Sequence, residues 1–170
     1  MTTLSIKISI RNGSEVKIMD VPYLIFQQMK TLYTAFDTLY DIGTYDTNNV
    51  IDIADEAVKF KSLELIIDYY SRLMNVNNYQ DLMNDLMDWE IEFFKSISAE
   101  NSDVLTDLLN NVDYLEMNYM LNKGCNYIAS FIIKEKTVEE LRDYFKIEND
   151  FSAGEEQQIR DDFYWALTNE

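Results

Sequence analysis

Apolar and polar positions alternate at the start of the chain: Leu4, Ile6, Ile8 and Ile10 are interleaved with Ser5, Lys7 and Ser9. That two-residue period predicts a half-buried strand. Asn12-Gly13 follows, a pair suited to a two-residue hairpin turn whose central positions both require positive φ. Val16 and Ile18 then alternate on the return strand. After Asp20-Val21-Pro22 the period changes. Leu24, Ile25, Met29, Leu32, Tyr33, Phe36, Leu39 and Tyr40 fall at helical spacing, predicting one helix or two before Gly43. Val50-Ile51-Asp52-Ile53 predicts a short strand, and Val58, Leu63, Ile66, Ile67, Tyr70, Leu73 and Met74 an amphipathic helix. Residues 75–88, rich in Asn, Asp and Gln, read as a linker with a weak helix.

The second half is nearly all helical. Leu105, Leu108, Leu109, Val112 and Leu115 form one stripe; Met117, Met120, Leu121, Ile128, Phe131 and Ile132 form the next, with Gly124 permitting close packing. Thr137-Val138-Glu139-Glu140 and Ser152-Ala153-Gly154-Glu155 are capping boxes, in which the hydroxyl and the Glu three residues on satisfy each other's backbone N–H. The second box opens a last helix through Ile159, Phe163 and Leu167. A hairpin, helices, one short strand and then helices predict an α+β fold.

Composition narrows the function. With 47% apolar residues the chain can bury a core despite a net charge of −17. That field repels nucleic-acid phosphates and anionic membranes, and it suits basic partners or simple solubility. Histidine is absent, which removes the commonest general base and metal ligand together. The single Cys125 excludes an internal disulfide and a zinc site, and its apolar-periodic surroundings predict a small core residue. No apolar run approaches the roughly 20 residues of a membrane span. Met1-Thr2-Thr3-Leu4 lacks the basic and apolar regions of a signal peptide, so a cytoplasmic or nuclear location is expected.

Two acidic clusters, Asp52, Asp55 and Glu56, and Asp88, Glu90 and Glu92, read as solvated faces. Neither has the spacing of a calcium loop. Serine nucleophiles lack a histidine base, and no glycine-rich phosphate loop is present. The expectation is no enzyme, no cofactor and no metal. Twelve Tyr, nine Phe and two Trp remain, and such side chains serve cores and protein interfaces alike. The segment Phe145-Lys146-Ile147-Glu148-Asn149-Asp150-Phe151, between the two capping boxes, reads either as a connector or as an interface.

The C-terminal letters carry a resemblance. Lys136-Thr137-Val138-Glu139-Glu140-Leu141-Arg142, Phe145, Ile147-Glu148-Asn149-Asp150-Phe151-Ser152, then Glu155-Glu156, Gln158, Ile159-Arg160 and Trp165 resemble the signature of the S-phase kinase-associated protein 1 family. Trp89, Glu92-Phe93, Lys95, Tyr114-Leu115-Glu116-Met117, Cys125 and Ala129 extend it upstream, over roughly the last 80 residues. The N-terminal half is similar in layout. The resemblance implies a BTB/POZ-like domain at 1–133, facing a cullin, and a helical F-box-binding extension at 134–170. It implies an adaptor of SCF-type ubiquitin ligases that bridges a cullin and F-box proteins. The implied F-box site is Phe145, Ile147, Asn149, Asp150, Phe151 and Trp165; the implied cullin site is Asp113, Tyr114 and Phe36. The chain departs from the family at Val138, where the family has proline, at Asp113, where it has asparagine, and near Phe36-Asp37-Thr38-Leu39. These departures leave open an alternative, a member that binds F-box proteins but has lost its cullin. A weak homodimer is also expected, from an exposed aromatic groove without a partner.

Overall fold

The computed structural model describes residues 4–39, 46, 49–53, 58–75, 86–100, 102–134 and 136–164. Tyr40, Gly43, Asp55, Glu56, Trp165, Leu167 and most of the 75–88 linker, to which the sequence assigned roles, lie outside them. The architecture is α+β, and the chain divides into two compact units, 1–134 and 135–170.

In the first unit β1 (Ser5–Asn12) and β2 (Glu15–Pro22) form the hairpin, and β3 (Val50–Ile53) adds parallel to β1, giving the order β2-β1-β3. Ile8 stands between Met19 and Ile51 in the ladder, and Ile10 stands beside Ile53. Ile6, Ile8 and Ile10 are buried, so the inner face is the apolar one. Leu4 precedes the strand and is exposed, as are Val16 and Ile18 on the outer face. The turn is shifted by one residue from the expected pair. Asn12 still pairs with Glu15, leaving Gly13-Ser14 as the loop, and only Gly13 has positive φ, at 62°. A single positive φ at the first loop position matches a glycine-led hairpin turn.

Freed from the turn, the Asn12 side chain acts at a distance. Its Nδ2 donates to the Val58 carbonyl at 3.0 Å and its Oδ1 accepts from Phe60 N–H at 3.0 Å. Asn111 Oδ1 accepts from Lys59 N–H at 2.8 Å. Two remote asparagines thus cap the N-terminus of α3 (Phe60–Leu73), which has no side-chain cap of its own.

The other helices of this unit are α1 (Tyr23–Phe26), α2 (Lys30–Leu39), α4 (Asp88–Glu100), α5 (Ser102–Tyr114) and α6 (Asn118–Tyr127), which runs into a π-helical segment at Ile128–Ile133. The break foreseen between Pro22 and Gly43 is real, at residues 27–29. Helix α5 packs against α3, α4 and α6. Tyr69 sits among Trp89, Phe93 and Phe94 with ring centroids 5.1, 5.3 and 6.0 Å away, and Phe94 stacks on Tyr127 at 5.7 Å. Burial of the fully enclosed Tyr69 and Phe94 rings contributes about 1.5–3 kcal/mol each. Gly124 allows the expected close approach: a Cβ there would meet Leu109 Cδ2 at 2.3 Å.

Two sequence expectations fail here. Cys125 is exposed, because the buried face of α6 is Met120, Lys123, Gly124 and Tyr127, and residue 125 turns away from it. Glu90 is not on a solvated face; it is fully buried. Its position is i−3, i−4 and i−7 to Phe93, Phe94 and Ile97, which places it in the apolar stripe of α4. The carboxylate accepts from Tyr69 Oη at 2.5 Å and Met87 N–H at 2.9 Å, with Lys123 Nζ 3.4 Å away. Burial, then the hydrogen bond to Glu90, pushes the Tyr69 hydroxyl far above its ordinary value. Burial lifts Tyr70 to about 12.

The second unit contains α7 (Val138–Phe145) and α8 (Ala153–Asp162). Neither helix has a fully buried residue.

Candidate functional site

Local chemistry builds the C-terminal unit. Both foreseen capping boxes form: Thr137 Oγ1 accepts from Glu140 N–H, and Ser152 Oγ accepts from Glu155 N–H, while each Glu reaches back to the cap N–H at 2.8 and 2.9 Å. These bonds hold the Glu140 and Glu155 carboxyls below the usual glutamate range: at Glu140 the Thr137 backbone bond leads, at Glu155 the Ser152 hydroxyl. Helix α7 ends in a Schellman motif. Lys146 takes φ 55°, its N–H donates to Asp143, and Ile147 N–H donates to Arg142 at 2.8 Å.

Ion pairs then join the two helices. Arg142 Nη1 meets Glu156 Oε1 at 2.7 Å, and Arg160 Nη2 meets Glu139 Oε1 at 3.0 Å. Glu156 also accepts from Asn149 Nδ2 at 3.2 Å, while Asn149 Oδ1 accepts from Phe151 N–H at 3.2 Å. Hydrogen bonding from Arg142 is the main reason the Glu156 carboxyl lies low. The connector between the helices is therefore fixed by Asn149, and it presents Phe151.

The apolar side chains are left over. Val138, Phe151, Ile159 and Phe163, with Arg142, Glu156 and Arg160, line a cleft of about 360 Å³. Phe151 is 47% exposed, Phe163 52% and Ile159 41%. Of the expected F-box residues, Phe151 lines this cleft and Asn149 supports it. Phe145 is half-buried with its ring edge-on to Tyr144, Ile147 and Asp150 are exposed, and Trp165 lies outside the described residues. Val138, Ile159 and Phe163 also line the cleft and are not among the residues expected from the sequence. The i, i+4 spacing of Ile159 and Phe163 was the available signal.

The second expected surface lies at the end of α5. Tyr114 is 43% exposed and Asp113 is exposed beside it. The Tyr114 carbonyl accepts from Thr31 Oγ1 at 2.8 Å, which brings α2 alongside. Helix α5 also ends in a Schellman motif, with Glu116 at φ 53° and Met117 N–H donating to Val112. Phe36 is different. It is 3% exposed and packs edge-on to Phe26 at 5.3 Å, so it supports α2 from beneath and offers no surface to a partner.

Among the described residues no group of three or more Cys, Asp or Glu side chains is arranged to hold a metal ion, and no helix is long and apolar enough to cross a membrane.

Residues 118–166 match the model of the Skp1 family, dimerisation domain. The chain is 34% identical to SKP1-like protein 17 of Arabidopsis thaliana over 68% of its own length and 76% of that protein's. It is 32% identical to the S-phase kinase-associated protein 1 homolog of Tetrahymena thermophila, over 71% and 75%. With the Skp1-related protein of Caenorhabditis elegans the identity is 29%, spread over 95% of this chain and 90% of the relative. Similarity therefore reaches the N-terminal half, where the hairpin, third strand and helices agree with a BTB-like core. On these alignments and this fold, the chain belongs to the Skp1 family.

Proposed function

We propose that this protein is a non-catalytic adaptor of an SCF-type ubiquitin ligase, taking F-box proteins on its C-terminal helix pair and a cullin on the surface around Tyr114. The observation that carries the F-box half is the composition of the second unit. Arg142 and Asn149 are both paired with Glu156, while Val138, Phe151, Ile159 and Phe163 remain open around a cleft. A partner's apolar side chain seated there would remove from water the surface the unit cannot cover itself. The fixed connector offers that surface with little ordering left to do, which favours affinity.

The cullin half rests on Tyr114, an exposed aromatic at a rigid helix end. A second reading, a member that captures F-box proteins without a cullin, is favoured by the exposed carboxylate of Asp113 next to that tyrosine and by the burial of Phe36. Size-exclusion chromatography of the chain mixed with an F-box domain and a cullin N-terminal domain separates them. A ternary complex supports the adaptor; a binary complex with the F-box domain alone supports the capturing member. Absence of both complexes rejects the proposal.

A further inference from the structure

One carboxylate gathers three helices in the core of the first unit. Glu90, on α4, accepts from Tyr69 of α3 and from Met87 N–H, and faces Lys123 of α6 at 3.4 Å, with Tyr119 Oη at 3.5 Å. The pair is deeply enclosed, with side chains 0% and 7% exposed. Lys123 Nζ also lies 5.3 Å from the centroid of the Tyr119 ring. Beyond this point α4 meets α6 through Phe94 stacked on Tyr127 and a hydrogen bond between Ser98 Oγ and Tyr127 Oη at 3.0 Å, while within α6 and its continuation Tyr127 stacks on Phe131 at 5.4 Å.

Stacked rings tolerate sliding and tilting, whereas a buried charge without its partner does not. A one-residue slip would rotate α6 by about 100° and carry Lys123 away from Glu90. The consequence falls just downstream. In the π-helical segment Ile132 is 4% exposed, while its neighbours Phe131 and Ile133 are 37% and 50% exposed. Three consecutive apolar residues share this stretch, so hydrophobicity alone does not decide which enters; the register of α6 does, held by the Glu90–Lys123 pair together with the close approach of Gly124 to Leu109 and the Ser98–Tyr127 bond.

We propose that the Glu90–Lys123 pair is a register lock for α6, and that it determines which of Phe131, Ile132 and Ile133 enters the core and which two face outward. The two residues are positioning residues, acting on the outward apolar surface at 128–133 through the rotation of α6. In coiled coils a single buried polar residue selects one register at the expense of stability, and the same trade is assigned here to the pair.

The test uses the full chain. K123M leaves the Glu90 charge buried and is expected to lower the folding equilibrium constant about a hundredfold or more. E90Q/K123M removes both charges and is expected to return within about tenfold of the wild type. The lock itself is read by isoleucine methyl NMR and residue-level hydrogen exchange. In the double variant Ile132 and Ile133 should give more than one set of signals, and amides of α6 should exchange about tenfold faster while those of α3 are unchanged. A single set of signals with unchanged α6 protection in E90Q/K123M overturns the proposal, as does a K123M variant as stable as the wild type. Should the double variant not fold, E90D, which keeps the charge but shortens the reach, serves for the same two measurements. Selective loosening of α6 is expected there, and none overturns the proposal.

Discussion

Adding one methyl group at Gly124 tests how tightly α6 is set against its neighbours. In Gly124→Ala the new Cβ would lie 2.3 Å from Leu109 Cδ2 and 3.4 Å from Phe94 Cε1. Ordinary carbon contacts are about 3.5–4.0 Å, so Leu109 must move by more than about 1 Å inside a packed core. Two effects oppose each other. Replacing glycine by alanine inside a helix contributes about 1 kcal/mol of stability. Overpacking costs about 1–3 kcal/mol, and Leu109 and Phe94, the two side chains nearest the new methyl group, are both buried. Overpacking wins, and a net loss of about 1 kcal/mol is expected from urea unfolding at constant m. In a Leu109→Ala background, itself destabilised by about 2–5 kcal/mol, the clash is gone and Gly124→Ala should become stabilising. A gain of about 1 kcal/mol from Gly124→Ala in the wild-type background would show that Leu109 rotates away freely, and the close-approach argument would be wrong.

Acid should loosen the second unit before the first. Glu140, Glu155 and Glu156 have carboxyls held below their ordinary 4.5, so the stability they contribute is fully present above that value and is lost as pH falls through their lower folded values. The protection factors of α7 and α8 amides, corrected for the slower intrinsic exchange in acid, should therefore fall between about pH 5 and 3, and less so in a triple Glu→Gln variant, because glutamine can still close a capping box. At Lys146, whose φ is 55°, glycine should be neutral or stabilising by a few tenths of a kcal/mol, since relief of left-handed strain is offset by a freer unfolded chain. Lys146→Ile at the same site should lower α7 protection by the equivalent of about 1 kcal/mol or more, and equal effects of the two changes would contradict the strain assignment.

The elements legible in the sequence are those governed by local rules. The hairpin alternation of Ile6, Ile8 and Ile10, the strand at Val50–Ile53 and the capping boxes at Thr137 and Ser152 all depend on neighbours a few residues away. Asn12-Gly13 located the hairpin but misplaced the turn by one residue, because Asn12 is drawn into capping α3, an interaction 48 residues long in sequence. Glu90 and Lys123 were invisible for a related reason. Each satisfies the other only after α4 and α6 meet, and by composition each resembles a surface residue. Cys125 was misjudged because apolar character in α6 spreads over more than one face, and tertiary packing selects only one. Within the C-terminal site, Phe151 and Asn149 could be named from the resemblance. The cleft could not, since it needs α7 and α8 to be brought together by Arg142 and Glu156.

In the proposed adaptor, the cleft around Phe151 receives an F-box protein. The most direct measurement is the affinity of Phe151→Ala for an F-box domain, with Tm recorded on the same sample. Phe151 is 47% exposed, so a small change in folding is expected, under about 1 kcal/mol or about 4 °C in Tm, with a loss of about 1–4 kcal/mol in binding. Tyr114→Ala should leave F-box binding intact. An unchanged affinity for Phe151→Ala, or a loss matched by an equal fall in stability, would show that the cleft does not receive an F-box protein.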